Sequence, residues 1–366
     1  MFKRVLVAAA VAGAFAAPAF AEVKISGAAE LDVIFRTHNG DGEGGRNRFG
    51  FEDDLTINFD GEDKWDNGLK TIWRVSQKPG GGAYGPGVKG WGSREAYIGI
   101  AGDSWSVKTG RIFTDQYLRH DWPYLTDGSG NLGEDFGIVG DKVWWTNAVQ
   151  FNGNFGPVNV VATFDAGDNA IASGNNGQGY EIGGGVDFGA GGHFDISFLG
   201  LKGQKTAASS KVDIVGGVPG IVTTPAVVGD GTNTSFFTGI RYPFGPVTVF
   251  FDYTRNHWGQ NSADKTTNVF HGKVNYAFND KLSLHTGLTY VKDNDDAKAT
   301  QFNVALHYGV SKNTEAYARV RHIQFSKDNG AGGYVKPTGM SWQGLGVDTA
   351  SQKSGQEFLI GTWTGF

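Results

Sequence analysis

The chain has 366 residues, 37 acidic against 32 basic, for a formal charge of −5, and no cysteine. The missing cysteine excludes a disulfide framework, thiolate chemistry and a Cys-type zinc site. The charge balance, with no basic stripe, argues against nucleic acid as a partner. A content of 58 Gly, 26 Phe and 10 Trp against 2 Met suits strands, tight turns and exposed aromatics better than packed helices. The mean hydropathy of −0.29 fits a soluble protein, but equally a membrane barrel, in which lipid-facing and lumen-facing residues alternate and cancel.

Residues 1–21, MFKRVLVAAAVAGAFAAPAFA, read as a secretory signal peptide. Lys3 and Arg4 are its charged start, Val5 to Ala17 its apolar core, and Ala19-Phe20-Ala21 its small-residue cleavage site. No later apolar run reaches the length of a membrane helix. An exported chain without one is either soluble or a barrel.

From Glu22 onward the pattern has period two. In VTVFFDYT, Val247, Val249, Phe251 and Tyr253 oppose Thr248, Asp252 and Thr254; in TQFNVALHYGV, Phe302, Val304, Leu306, Tyr308 and Val310 oppose Gln301, Asn303 and His307. Such alternation predicts half-buried strands. Sixteen are expected: 23–36, 48–60, 69–78, 93–101, 104–112, 142–152, 157–166, 179–189, 192–202, 234–242, 246–257, 267–277, 281–292, 299–310, 313–326 and 355–366. Their connections alternate between short turns (AGDS, GNFG, GAGG, PFGP, FND, SKN and the longer GEDKWDNG) and long loops. Sorting loops by parity onto two rims is the pattern of an outer-membrane barrel. The predicted fold is therefore all-β, a 16-stranded antiparallel transmembrane barrel spanning 22–366, with long external loops and short periplasmic turns.

One connection breaks the pattern. Residues 112–141, IFTDQYLRHDWPYLTDGSGNLGEDFGIVGD, have no period and exceed the ~12–15 residues at which an irregular loop usually signals function. This segment is expected to fold inward and constrict the barrel.

Several motifs occur in an order that resembles the general porins of the Gram-negative outer membrane. RFGFEDDLTINFDGEDKWDNGLKTIWRV is similar to that family's second and third strands with their turn. SREAYIGIAGDSWSVKTGRIFT resembles the fourth and fifth strands and the start of the constriction loop, and VALHYGVSKNTEAYARV the penultimate hairpin. The chain ends in Phe366, the terminal aromatic that the barrel-assembly machinery recognises in such proteins. The resemblance implies a homotrimer in outer-membrane lipid and lipopolysaccharide, with loop 79–92 latching onto a neighbouring subunit. It implies a water-filled channel for passive diffusion of small hydrophilic solutes and ions, no enzymatic activity and no cofactor. Two departures stand out. The family's Pro-Glu-Phe-Gly-Gly constriction motif has only a partial echo in Leu132 to Gly137. The last strand carries Thr362 and Thr364 where bulkier apolar residues are expected.

If apolar faces meet lipid, Arg48 (beside outward Phe49 and Phe51) and Arg74 (beside Trp73 and Val75) point into the lumen. With Tyr97 read as outward, Arg94 joins them on the parity of Ala96 and Ile98. These three form the expected basic wall. The loop acids Asp115, Asp121, Asp127, Glu134 and Asp135 are expected opposite, so that charge across a narrow, low-dielectric passage selects solutes. Arg111 reads as a structural tether, Arg119 as a local counter-charge, and inward-facing Arg319 and Arg321 would add positive charge. The three arginines and the missing acidic motif tilt the reading toward anions. A substrate-specific channel, with a track using Trp122 and Tyr124, is the nearest rival; a barrel enzyme is another. The eight His are scattered without metal-site spacing, GGGVDFGAGG reads as a turn, and Asp293-Asn294-Asp295-Asp296 as a solvated loop tip.

Overall fold

The computed structural model describes residues 22–39, 46–78, 91–124, 143–167, 178–202, 205–206, 209–215, 218–224, 227–228, 231–259, 264–328, 334–338 and 353–366, and statements of absence below refer to these. The proposed signal segment, most of loop 79–92, and Asp127, Glu134 and Asp135 lie outside them.

Sixteen strands close into one barrel, each paired antiparallel with its sequence neighbour. They are β1 Glu22–Asn39, β2 Arg46–Lys64, β3 Lys70–Gln77, β4 Glu95–Ala101, β5 Trp105–Phe113, β6 Trp144–Phe155, β7 Val158–Asp165, β8 Gln178–Phe188, β9 Gly192–Lys202, β10 Thr232–Phe244, β11 Val247–Trp258, β12 Lys265–Ala277, β13 Leu282–Asp293, β14 Lys298–Gly309, β15 Thr314–Phe325 and β16 Ser354–Gly365. All sixteen coincide with the strands expected from alternation. Short strand pairs outside the barrel lengthen two long connections: 205–206 with 227–228 and 209–215 with 218–224 between β9 and β10, and 327–328 with 334–335 after β15.

The wall is inside-out relative to a soluble protein. On β14, Phe302, Leu306 and Tyr308 are 50%, 44% and 47% exposed, whereas Gln301, Asn303 and His307 are 3%, 4% and 7% exposed. Apolar side chains thus face outward to lipid and polar ones inward, as in membrane barrels. The short turns gather on one rim. Two of them place Gly156 and Gly245, each followed by Pro, at φ of 63° and 61°, a conformation that glycine adopts without a Cβ penalty.

Closure joins β1 to β16 in register from Ala28↔Gly365 to Thr37↔Gln356, and Gly27 and Phe366 exchange both backbone hydrogen bonds, at 2.9 and 3.0 Å. The two threonines that depart from the expected pattern are satisfied: Thr362 Oγ1 donates to the Glu315 carbonyl at 3.0 Å and Thr364 Oγ1 to Thr314 Oγ1 at 3.2 Å. A hydroxyl facing lipid costs little once bonded. A Cβ on Gly27 would lie 2.1 Å from the Thr56 carbonyl oxygen and 2.6 Å from the Phe366 ring. Gly27→Val is therefore expected to lower the temperature at which the barrel unfolds, read by heat-dependent mobility in detergent electrophoresis.

Candidate pore constriction

The described part of the segment after β5 lies against the inner wall, where Asp115–Tyr124 form a helix, α1; the rest of the expected constriction segment, 125–141, lies outside the described residues. A bulge at Gly110–Ile112, with Gly110 at φ 134°, shifts the β5 register before Ile112 and Phe113 pair with Trp145 and Trp144. Ile112 and Phe113 turn inward and pack with Tyr117, Trp145, Leu199 and Leu201.

Three buried wall carboxylates hold the helix. Glu181 on β8 accepts the backbone N–H groups of Asp115 and Gln116 at 2.9 and 2.7 Å, and the Trp145 indole N–H at 2.9 Å. This supplies acceptors and negative charge to the helix N-terminus, where donors are otherwise orphaned. Asp195 on β9 binds Arg119 Nη1 at 2.9 Å and accepts the Tyr124 hydroxyl at 3.0 Å. Burial, with Asp195 beside it, raises the Tyr124 phenol above its ordinary range, so it remains a donor. Asp252 on β11 lies 3.0 Å from His120 Nε2 and 2.8 Å from His271 Nδ1. At the other end of the helix, Lys273 on β12 donates to the Pro123 carbonyl at 3.0 Å. The His120 ring stacks on Phe237 at 4.7 Å.

Inward-facing glycines make room for these contacts. A Cβ on Gly179 would lie 2.0 Å from the Trp145 ring, on Gly183 2.0 Å from the Asp115 carboxylate, on Gly185 2.9 Å from Arg119 Nη1, and on Gly239 2.4 Å from the Tyr124 ring. The GGGVDFGAGG run is thus only partly a turn. Gly183–Gly185 belong to β8, and two of the three seat the helix.

The expected acids and bases are arranged differently from the sequence reading. Asp115 does not face across the lumen: its carboxylate lies 2.5 Å from Arg119 Nε and presses against β8, so Arg119 cancels it locally. Asp121 is also buried on α1. Arg74 points inward and pairs with Asp60 at 2.6 Å and Glu95 at 3.0 Å. The parity read for β4 is reversed. Tyr97 lies inside, 4.8 Å from Lys108 Nζ, while Ile98 and Ile100 face outward. Arg94 precedes the strand and lays its guanidinium 5.1 Å from the Phe113 ring centroid, at the root of α1 rather than in a ladder with Arg74. Arg111 is a tether: its Nε donates to the Ser93 carbonyl at 2.6 Å and its guanidinium covers Trp144.

The densest basic cluster lies across the closure of the barrel. Arg36 on β1 and Arg319 and Arg321 on β15 converge on one buried carboxylate, Glu357 on β16, at 2.7, 2.5 and 3.2 Å. Arg36 also meets Glu52 at 3.1 Å. Arg48 lies directly opposite Arg36 in the β1–β2 register; its side chain is outside the described residues. Sequence reading missed Arg36 and Glu357. The signal was available in the inward parity that Arg36 shares with Glu30 and Asp32.

The remaining motifs are structural. Lys292 pairs with Asp296 at 3.0 Å, Lys265 pairs with Asp295, and Asp293 accepts the Asp295 and Ala297 amides, so the acidic loop tip is held by its own donors. His285 stacks on His307 at 4.1 Å, and Ser283 Oγ contacts His285 Nε2 at 3.1 Å while Glu315 contacts His307. The Tyr317 hydroxyl bridges Glu30 and Asp32 at 2.8 and 2.7 Å.

Comparison with known proteins agrees with this architecture. A family model described as Gram-negative porin matches residues 8–328. The chain belongs to the Gram-negative porin family. Porins of this kind are outer-membrane channels, which fixes the location of the barrel. Among curated relatives, a chitoporin of Vibrio furnissii is 28% identical over 231 residues, 59% of this porin and 61% of the relative. The major outer membrane protein P.IA of Neisseria meningitidis is 33% identical over 81 residues, 20% of its length. This porin thus spans less than two thirds of the curated relatives it matches. Among solved structures, an anion-selective porin from Comamonas acidovorans superposes with a TM-score of 0.69 at 16% identity, covering 94% of this chain and all of that one. The trimer form of OmpT, an outer membrane protein of Vibrio cholerae, gives 0.66 at 16% identity, covering 94% and 99%. These identities speak for the shared fold.

Proposed function

We propose that this porin forms a water-filled channel through which small hydrophilic solutes and ions diffuse passively, with a preference for anions. It works as a homotrimer among outer-membrane lipid and lipopolysaccharide. The observation that carries the anion preference is the convergence of Arg36, Arg319 and Arg321 on the single carboxylate of Glu357, with Arg48 beside them in register. At Glu357 three guanidinium groups share one carboxylate, with Glu52 as a second acid on Arg36. On the opposite wall, the acids of α1 are buried or paired. Charge on a channel lining biases which ion enters.

Purified protein in a planar bilayer under a KCl gradient tests this. Ohmic steps arriving in threes, with a reversal potential of the sign set by chloride, are the expected result. A cation-signed potential overturns the preference, and no conductance from folded protein overturns the channel.

A second reading, a substrate-specific channel, draws on the likeness to a chitoporin and on the inward row His285, His307 and Tyr317, whose ring centroids follow one another at 4.1 and 5.8 Å. Tyr124, an earlier candidate for such a track, is fully buried and bonded to Asp195; the Trp122 side chain lies outside the described residues. Saturable flux of one oligosaccharide would favour this reading over simple diffusion.

A further inference from the structure

On the outside of the barrel, one stretch of wall departs from the apolar rule. Along β11–β14 the inward residues Asp252, His271, Thr289 and Gln301 are buried, while Phe251, Phe270, Leu288 and Phe302 are exposed. Arg255, Asn268, Lys292 and Lys298 share the parity of the exposed set and so face outward. They are also successive cross-strand partners: Arg255↔Asn268, Asn268↔Lys292 and Lys292↔Lys298. Three cations and an amide thus form one row close to the strand ends at the long-loop rim, with opposite neighbours about 5 Å apart at Cβ. The outward faces of β15, β16 and β1 carry no lysine or arginine, so the row is local to this wall.

Below the row, toward the middle of the barrel, lies a belt of aromatics. Phe236, Tyr253, Phe270 and Tyr290 follow one another with ring centroids 6.4, 4.9 and 6.5 Å apart. Such belts mark the headgroup level of a bilayer, and a cation beside them faces headgroups rather than hydrocarbon. Tyr253 Oη donates to Asn268 Oδ1 at 2.7 Å, which occupies the amide oxygen and leaves the NH2 to donate. The loop acids nearby are engaged: Asp296 meets Lys292 in an exposed pair at 3.0 Å, and Asp295 meets Lys265. An exposed pair of this kind holds its partner weakly. Arg255 and Lys298 have no ion-pair partner among the described residues.

We propose that this row is a docking site for a phosphate-bearing lipid of the outer leaflet. The guanidinium, the two ammonium groups and the Asn268 amide hold the phosphate, and the acyl chains lie over Phe270 and Leu288 below. Charge-assisted donors suit a phosphate, and the exposed apolar face suits its chains. A lipid satisfies both halves of the site, whereas a free phosphate satisfies only the upper one. The site gives the lipid setting proposed above a specific address and rests on that setting.

Two double variants test it by removing equal charge from opposite rims. Arg255→Gln/Lys298→Gln alters the row; Lys281→Gln/Lys312→Gln alters exposed residues of the short turns. Folded protein in nonionic detergent is titrated with diphosphorylated lipid A, and bound lipid is counted by native mass spectrometry. At low salt the row variant is expected to bind about 25-fold more weakly, at about five-fold for each charge near a membrane surface. The difference should shrink as salt rises, and the turn variant should bind as the wild type does. Heat-dependent electrophoretic mobility checks that each variant is folded. Equal affinity of the two variants, or full displacement by inorganic phosphate at the concentration of the lipid, would overturn the docking site. Loss of the wild-type oligomer in the row variant, in detergent free of lipid, would overturn it in favour of a subunit contact. Folded wild-type protein that fails to enter phospholipid vesicles would instead remove the lipid setting on which the site rests.

Discussion

Gly183→Val is expected to unseat α1 and give the largest rise in single-channel conductance of any single substitution on β8. Its Cβ would enter the Asp115 carboxylate at 2.0 Å, in a place where Asp115 is already fixed by Arg119. Displacing Asp115 also pulls on its own N–H and that of Gln116, the two amides bound by Glu181. Losing those bonds orphans buried donors, at about 1–3 kcal/mol each. Most of the helix's grip is polar, from Glu181, Asp195, Asp252 and Lys273, with Tyr117 in the apolar cluster and His120 and Tyr124 against Phe237 adding to it. Detachment is therefore expected rather than a small shift. Gly272→Ala is the control, since a Cβ there finds nothing nearer than 4.0 Å. Equal conductance in the two variants would mean that the helix does not limit flow.

The second large effect concerns ion preference. Replacing Arg36, Arg319 and Arg321 by Gln together with Glu357→Gln removes three positive charges and one negative one. It avoids leaving a buried carboxylate alone, a change that costs about 3–5 kcal/mol when a buried pair is broken from one side. A unit charge about 8 Å from the ion path in water changes the local energy by about 0.5 kcal/mol, roughly a factor of two in ion occupancy. Two net charges then give about five-fold before salt screening reduces it. The reversal potential in a KCl gradient should move toward the cation side, and the shift should shrink at high salt. An unchanged potential would place selectivity elsewhere in the lumen.

The barrel was legible in the sequence because lipid and water impose opposite demands on alternate residues. Phe302, Leu306 and Tyr308 cannot exchange faces with Gln301, Asn303 and His307 without reversing both. Where one face carries mixed chemistry, that logic weakens. In Ala96-Tyr97-Ile98-Gly99-Ile100 both faces are apolar or aromatic, and Tyr97 lies inward because Lys108 covers its ring. Assigning the aromatic to lipid therefore reversed Arg94. Helix α1 was hidden for a related reason. Asp-Gln-Tyr-Leu-Arg-His-Asp-Trp-Pro-Tyr presents polar groups around much of its circumference, and its partners are polar wall residues far along the chain, so no amphipathic period arises. Glycines that seat a helix look, in one dimension, like glycines that make a turn. The Glu357 cluster depends on β1 meeting β16, a neighbour relation that exists only once the ends of the sheet join.

The anchors of α1 have a consequence for assembly. Asp115 is separated from Glu181 by 66 positions, and Pro123 from Lys273 by 150. Every strand that grips the helix comes later in the polypeptide than the helix itself. As residues emerge from the translocation machinery, this segment has none of these anchors until β8 follows, and lacks the full set until β12 is in place. Contacts of such long sequence separation form late because loop-closure entropy must be met first. A partly assembled sheet would therefore carry an unplugged bore with Glu181, Asp195 and Asp252 unmatched. Narrowing of the passage becomes a late event, coupled to near-completion of the wall.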